Sequence, residues 1–108
     1  MNIKSTVQNG YRILDIQDHI GIYTDLSDLI THVEQALQNN ETSIALCFTE
    51  DSYLFSNSIR IIMQCFEMIK DREGTLALIH PNEDILSTFR VLDLDKIINI
   101  FPSSAELQ

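Results

Sequence analysis

Three short, nearly unbroken apolar runs, residues 43–48, 75–80 and 97–101, alternate with longer stretches whose apolar residues recur at helical spacing. A strand with apolar residues at consecutive positions must be covered on both faces, the situation of a parallel sheet whose strands are joined by crossover helices. The intervening stretches supply those helices. From Thr24 or Asp25 as N-cap, Leu26, Leu29, Ile30, Val33, Ala36 and Leu37 fall on one helical face, and the pattern ends near Asn39 and Asn40. A second helix is expected from Ile59 to Gly74, with the glycine as a left-handed C-cap. A third starts at Pro81 and Asn82 and carries Ile85, Leu86, Phe89 and Leu92.

Ahead of this alternation, Asn9-Gly10 separates two extended segments. Both central residues of a type I′ turn need positive φ, so the pair predicts an antiparallel hairpin of strands near 2–8 and 11–18. The expected architecture is α/β, a single domain over residues 1–108. Its mixed, mostly parallel sheet begins with the hairpin and carries about four helices.

With 44% hydrophobic residues and a net charge of −9, the chain has the composition of a globular domain. Only seven Lys and Arg are present and they form no basic patch, so neither nucleic acid nor an anionic membrane is an expected partner. No apolar run approaches a bilayer span and the first residues lack the apolar core of a signal peptide, which points to a cytoplasmic protein. Cys47 and Cys65 lie among large apolar neighbours and read as buried hydrophobes. His19, His32 and His80 have no metal-like spacing, and the acidic residues Asp15, Asp18, Asp25 and Asp28 read as a solvated face. No phosphate-cradling loop or nucleophile elbow is present and three glycines leave little room for one, so no catalytic residue, metal or cofactor is assigned.

The stretch Tyr53-Leu54-Phe55-Ser56-Asn57-Ser58-Ile59 joins a buried strand to a helix N-terminus, where free N–H groups and the helix dipole favour an anion. The helix that follows is apolar over more than one stripe. Ile59, Ile62, Met63, Phe66 and Ile69 make a core face, and Ile61, Cys65 and Met68 add a second row. Either a neighbouring element covers that row or a partner does, a second copy of the chain included.

The element order and these residues together resemble the STAS domains of bacterial anti-sigma factor antagonists, over nearly the whole chain. The family's loop runs Tyr/Phe-hydrophobic-Asp-Ser-Ser/Thr-Gly-Leu, in register with Tyr53 to Ile59, and residues 89–98 look like its third helix and final strand. The functional motif departs from the pattern. The family's Asp is Phe55 here, its phosphoacceptor Ser/Thr is Asn57, and its Gly is Ser58. Cys47 stands where many relatives carry an acid or amide, and Ile22 replaces the Asp of a motif aligned with residues 19–22.

The resemblance implies a signalling module that works by partner switching with an anti-sigma factor kinase or a related regulator. Phosphorylation would add about −1.5 to −2 charge and end that binding. An amide accepts no phosphoryl group, so Asn57 at the acceptor position makes this chain an expected constitutive binder. Ser56 and Ser58 are alternative acceptors, against which stands a plain N-capping role. The expected contact surface comprises Tyr53, Phe55, Ser56, Asn57, Ser58 and Ile61, with Phe55 as apolar anchor. Ligand sensing is the other reading, in a strand-end crevice near Cys47, Phe55 and the loop after Ile79.

Overall fold

In the computed structural model, which describes all 108 residues, Asn9 and Gly10 take φ of 54° and 82°. Their turn folds β1 (Ile3–Gln8) back on β2 (Tyr11–Ile16) in antiparallel register, Gln8 opposite Tyr11. Three crossovers follow: α1 (Asp28–Gln38) leads to β3 (Ser43–Cys47), α2 (Ser56–Asp71) to β4 (Thr75–Ile79), and α3 (Glu83–Val91) to β5 (Asn99–Phe101). The strands lie in sequence order, with every pair after the hairpin parallel. The α-helices number three rather than about four, supplemented by 3-10 turns at Leu94–Lys96 and Ser104–Glu106. No helix is long and apolar enough to cross a membrane.

Alternation along the strands divides the apolar residues between two layers. Leu14, Ile16, Ile44, Leu46, Leu76 and Leu78 join Leu29 and Val33 of α1, Ile62 and Ile69 of α2, and Ile85 and Phe89 of α3 in one core. Tyr11, Ile13, Ala45, Ala77 and Ile79 face away from it and pack with Leu107. The central strands are thus covered on both faces, by helices on one and by the C-terminal segment on the other. Asn9 ties that segment down by donating from Nδ2 to the carbonyls of Ser104 (3.4 Å), Ala105 (3.3 Å) and Leu107 (3.4 Å). The Tyr11 hydroxyl donates to the Gln108 carbonyl at 2.8 Å.

Helix boundaries differ from the sequence expectation where side chains found other work. α1 begins at Asp28 with Ser27 in the cap position, because Asp25 accepts the Ser27 N–H (2.9 Å) and Thr24 accepts the Gly21 N–H (2.9 Å). Both expected caps hold a turn instead. At the end of α2 the left-handed residue is Glu73 (φ 57°), not Gly74. Glu73 N–H bonds the Lys70 carbonyl and Gly74 N–H the Ile69 carbonyl, a Schellman closure one residue earlier than expected. Gly74 is needed for space, since a Cβ there would press into the Thr42 carbonyl and the Ile69 side chain. Asn82 does cap α3, its Oδ1 accepting the Ile85 N–H at 2.8 Å. Leu92 falls past the end of α3 and is half exposed, and Ile97 lies outside the last strand.

The buried stripe of α2 is Ser58, Ile62, Cys65 and Ile69, which moves Cys65 from the expected second row to the core. Ile59, Ile61, Met63, Phe66 and Met68 are half buried against the same core, with α1 packed beside the helix. Its wide apolar arc is therefore accounted for largely within the chain.

Candidate functional site

The chain leaves β3 at Cys47 and enters α2 at Ser56, and the loop between is held from both sides. Ser52 is the pivot. Its buried Oγ accepts the Ile20 N–H (2.9 Å) and shares a 2.6 Å hydrogen bond with Thr49 Oγ1. One residue on, Tyr53 N–H bonds the Ile20 carbonyl at 2.8 Å, which straps this loop to the one leaving β2. From the other side Asn82 Nδ2 donates to the carbonyls of Glu50 (2.9 Å) and Ser52 (2.8 Å). Three loops at the C-terminal ends of β2, β3 and β4 thus form one connected rim.

Asp51, on that rim, has its carboxyl held below the usual range by hydrogen bonds from Thr49 and His19, whose Nδ1 lies 3.4 Å from Oδ2. Asp25 is lowered likewise by the Ser27 backbone N–H and hydroxyl. These two carboxylates keep their charge to lower pH than an ordinary aspartate. No group of three or more His, Cys, Asp or Glu is arranged to hold a metal ion.

Phe55 occupies the N-cap position of α2, where its ring offers no acceptor, and no acidic residue stands in the first turn. The ring stacks on Tyr53 with centroids 5.3 Å apart. Both side chains are exposed, Tyr53 by 45% and Phe55 by 37%. Ser56 is exposed as the first helical residue, and half-buried Asn57 donates from Nδ2 to the Thr24 carbonyl at 3.3 Å. The amide at the expected acceptor position is a strut between α2 and the loop after β2.

Ser58 requires a correction. It is 1% exposed and aligned with Ile62, Cys65 and Ile69 on the buried stripe, so it belongs neither to a polar rim nor to a surface a kinase can reach. Its Oγ is buried without a hydrogen-bond partner. Neither Ser56 nor Ser58 makes a side-chain cap bond, so the capping role expected for them is absent too. Cys47 is also displaced from the expected crevice. It lies on the sheet face away from the helices, with Ile13, Ile79 and Asp15, where burial and the Asp15 charge push its thiol pKa up.

The structure adds two residues that periodicity did not single out, Ile22 (54% exposed) and Tyr23 (95% exposed). Tyr23 shares a cleft of about 300 Å³ with Asp25, Asn57, Arg60 and half-buried Ile61. Their signal in the sequence is two bulky residues between the turn formers Gly21 and Thr24, outside any helical or strand period. Ile22 and Tyr23 on one loop and Tyr53 and Phe55 on the other expose aromatic and aliphatic side chains, and the two loop backbones are bonded to each other. Such a surface suits burial against another protein, with large, low-entropy side chains backed by a fixed scaffold.

Comparison with known proteins agrees with the fold. A family model described as STAS domain matches residues 2–107. A crystal structure of a candidate anti-sigma factor antagonist from Thermotoga maritima superposes with a TM-score of 0.76 at 19% identity, covering 96% of this chain and 89% of that one. An NMR structure of the same protein gives a TM-score of 0.77 at 21% identity, covering 94% and 82%. No curated protein gives a significant sequence match.

Proposed function

As the chain belongs to the STAS domain family, we propose that it is a protein-binding signalling module of the anti-sigma factor antagonist kind, and that it binds its partner constitutively. The partner class is an anti-sigma factor kinase or a related regulator. The contact surface is formed by Tyr53, Phe55, Ser56, Asn57 and Ile61, extended by Ile22 and Tyr23 across the bonded loops. Asn57 carries the reading. A side chain that cannot be phosphorylated stands where the family's acceptor stands, and it ties the start of α2 to the loop after β2 through the Thr24 carbonyl.

The module does no catalysis on this reading. Phe55 replaces an acidic residue at the helix start, so the surface loses a charge and gains about the apolar area of an aromatic anchor, which is where binding energy concentrates. Ser56 offers a second reading, because it is exposed at the first position of α2 and a phosphate there would meet the positive end of the helix.

The test is to purify the tagged protein from its native host with phosphatases inhibited, and to measure intact mass and partner affinity together. An unmodified chain with a stable partner, whose affinity falls at least about tenfold in Phe55→Asp and not in Val91→Asp at the far end of α3, is the expected result. A phosphorylated fraction at Ser56 that lacks the partner would replace the constitutive reading by the switched one. Equal binding by Phe55→Asp would remove the surface.

A further inference from the structure

The largest cavity, about 650 Å³, lies away from the contact surface, along the outer edge of β5 and against α3. Its size is within the range of small-molecule sites. Arg90 in the last turn of α3, Asp95 in the 3-10 turn and Asn99 at the start of β5 line one end. Leu86, Ile100 and Phe101 supply apolar wall. Arg12 is paired with Glu41 and Arg72 donates to the Leu37 carbonyl, whereas Arg90, like Arg60 on the exposed face of α2, makes no ion pair or side-chain hydrogen bond. Asp95 is equally unpaired, and the two do not bond each other although they share the cavity.

A cation, an anion and an amide, each unpartnered at one end of a cleft walled further on by Leu86, Ile100 and Phe101 and bordered by His80, match a ligand that carries both charges at one end and apolar side chains beyond. The cleft has a second property of the same kind. β5 is the last strand of the sheet and pairs only with β4, so its outer edge leaves backbone groups free for an extended chain. We propose that this cleft binds a small zwitterion of the apolar amino-acid or dipeptide class. Its carboxylate lies on Arg90, its ammonium on Asp95 and Asn99, and its side chains on Leu86, Ile100 and Phe101. The proposal is independent of the partner-binding surface.

The experiment is an NMR titration of the isotope-labelled full chain with phenylalanyl-leucine, alongside its N-acetyl and C-amide forms and benzoate. Saturable shifts centred on Leu86, Ile100 and Phe101 are expected for the free dipeptide. Affinity should fall about tenfold or more on blocking either terminus and in Arg90→Ala or Asp95→Ala, since each removes one charge-assisted contact. Both residues are exposed, and an unchanged amide spectrum of each variant confirms its fold. The proposal is overturned by no saturable shift up to about 10 mM, by shifts scattered outside the cleft, or by equal affinity for blocked peptides, benzoate or the variants.

Discussion

Ser58 and Glu73 are single residues whose backbone or side-chain circumstances are unfavourable. The Ser58 hydroxyl has been taken from water without a replacement bond, and such a group costs about 1–3 kcal/mol. Ser58→Ala should therefore leave stability unchanged or raise it by about 1 kcal/mol, read from the urea midpoint. Glu73 adopts φ 57° without a glycine's freedom, so Glu73→Gly should stabilise by roughly 1 kcal/mol. The neighbouring change Gly74→Ala should act in the opposite direction by about 2 kcal/mol or more, because the Thr42 carbonyl is backbone and cannot swing aside. Gly74 was visible as a helix stop, but its reason was a close approach across the chain, which no local pattern contains.

At the scale of elements, the helix starts decide how the rim is built. α3 has a capped start, and Asn82 uses its one side chain for three bonds: acceptor to Ile85 and donor to Glu50 and Ser52. Loss of all three in Asn82→Ala should cost about 2–3 kcal/mol, the sum of a helix cap, one part-buried bond and one exposed bond. It should also speed hydrogen exchange at Ile20 and Tyr53 beyond the global effect, since the loop loses one of its two straps. A uniform rise set by global stability alone would show that the strap is not local. α2 has an uncapped start, with Phe55 exposed in the cap position, and this is the element on which we place the proposed binding surface. The existence and order of these elements were legible because hairpin turns and helical spacing are local. Their first residues were not, as Thr24 and Asp25 show by capping turns in place of α1.

For the whole molecule, the helices all contribute to one core, and its deepest titratable group is Cys65. Burial raises the thiol from an ordinary 9.0 to about 12. The folded state therefore keeps the proton that the unfolded chain releases. Stability is unaffected below pH 9.0 and falls between 9.0 and about 12, at about 1.4 kcal/mol per pH unit for one proton. Urea denaturation from about pH 8 to pH 10.5 should show a steeper fall in the wild type than in Cys65→Ala, where the likewise raised Cys47 thiol leaves a residual slope; equal slopes would remove Cys65 as the cause. Slow alkylation of Cys65 relative to the half-exposed Cys47 in the native protein should accompany it.

The amino-acid sequence by itself determined the strand and helix order, the hairpin, the core stripe of α1 and the resemblance that names the family. Each rests on interactions between residues a few positions apart, or on a motif read in order. Only the tertiary structure decided that Ser58 is buried while Ile22, Tyr23, Tyr53 and Phe55 are exposed on two loops bonded to each other. It also decided that Asn57 is a strut to Thr24, and that the helix-free face of the sheet is closed by Leu107. These are contacts between segments roughly 30 to 100 residues apart, and chain closure over such distances is set by packing of the whole core rather than by local preference.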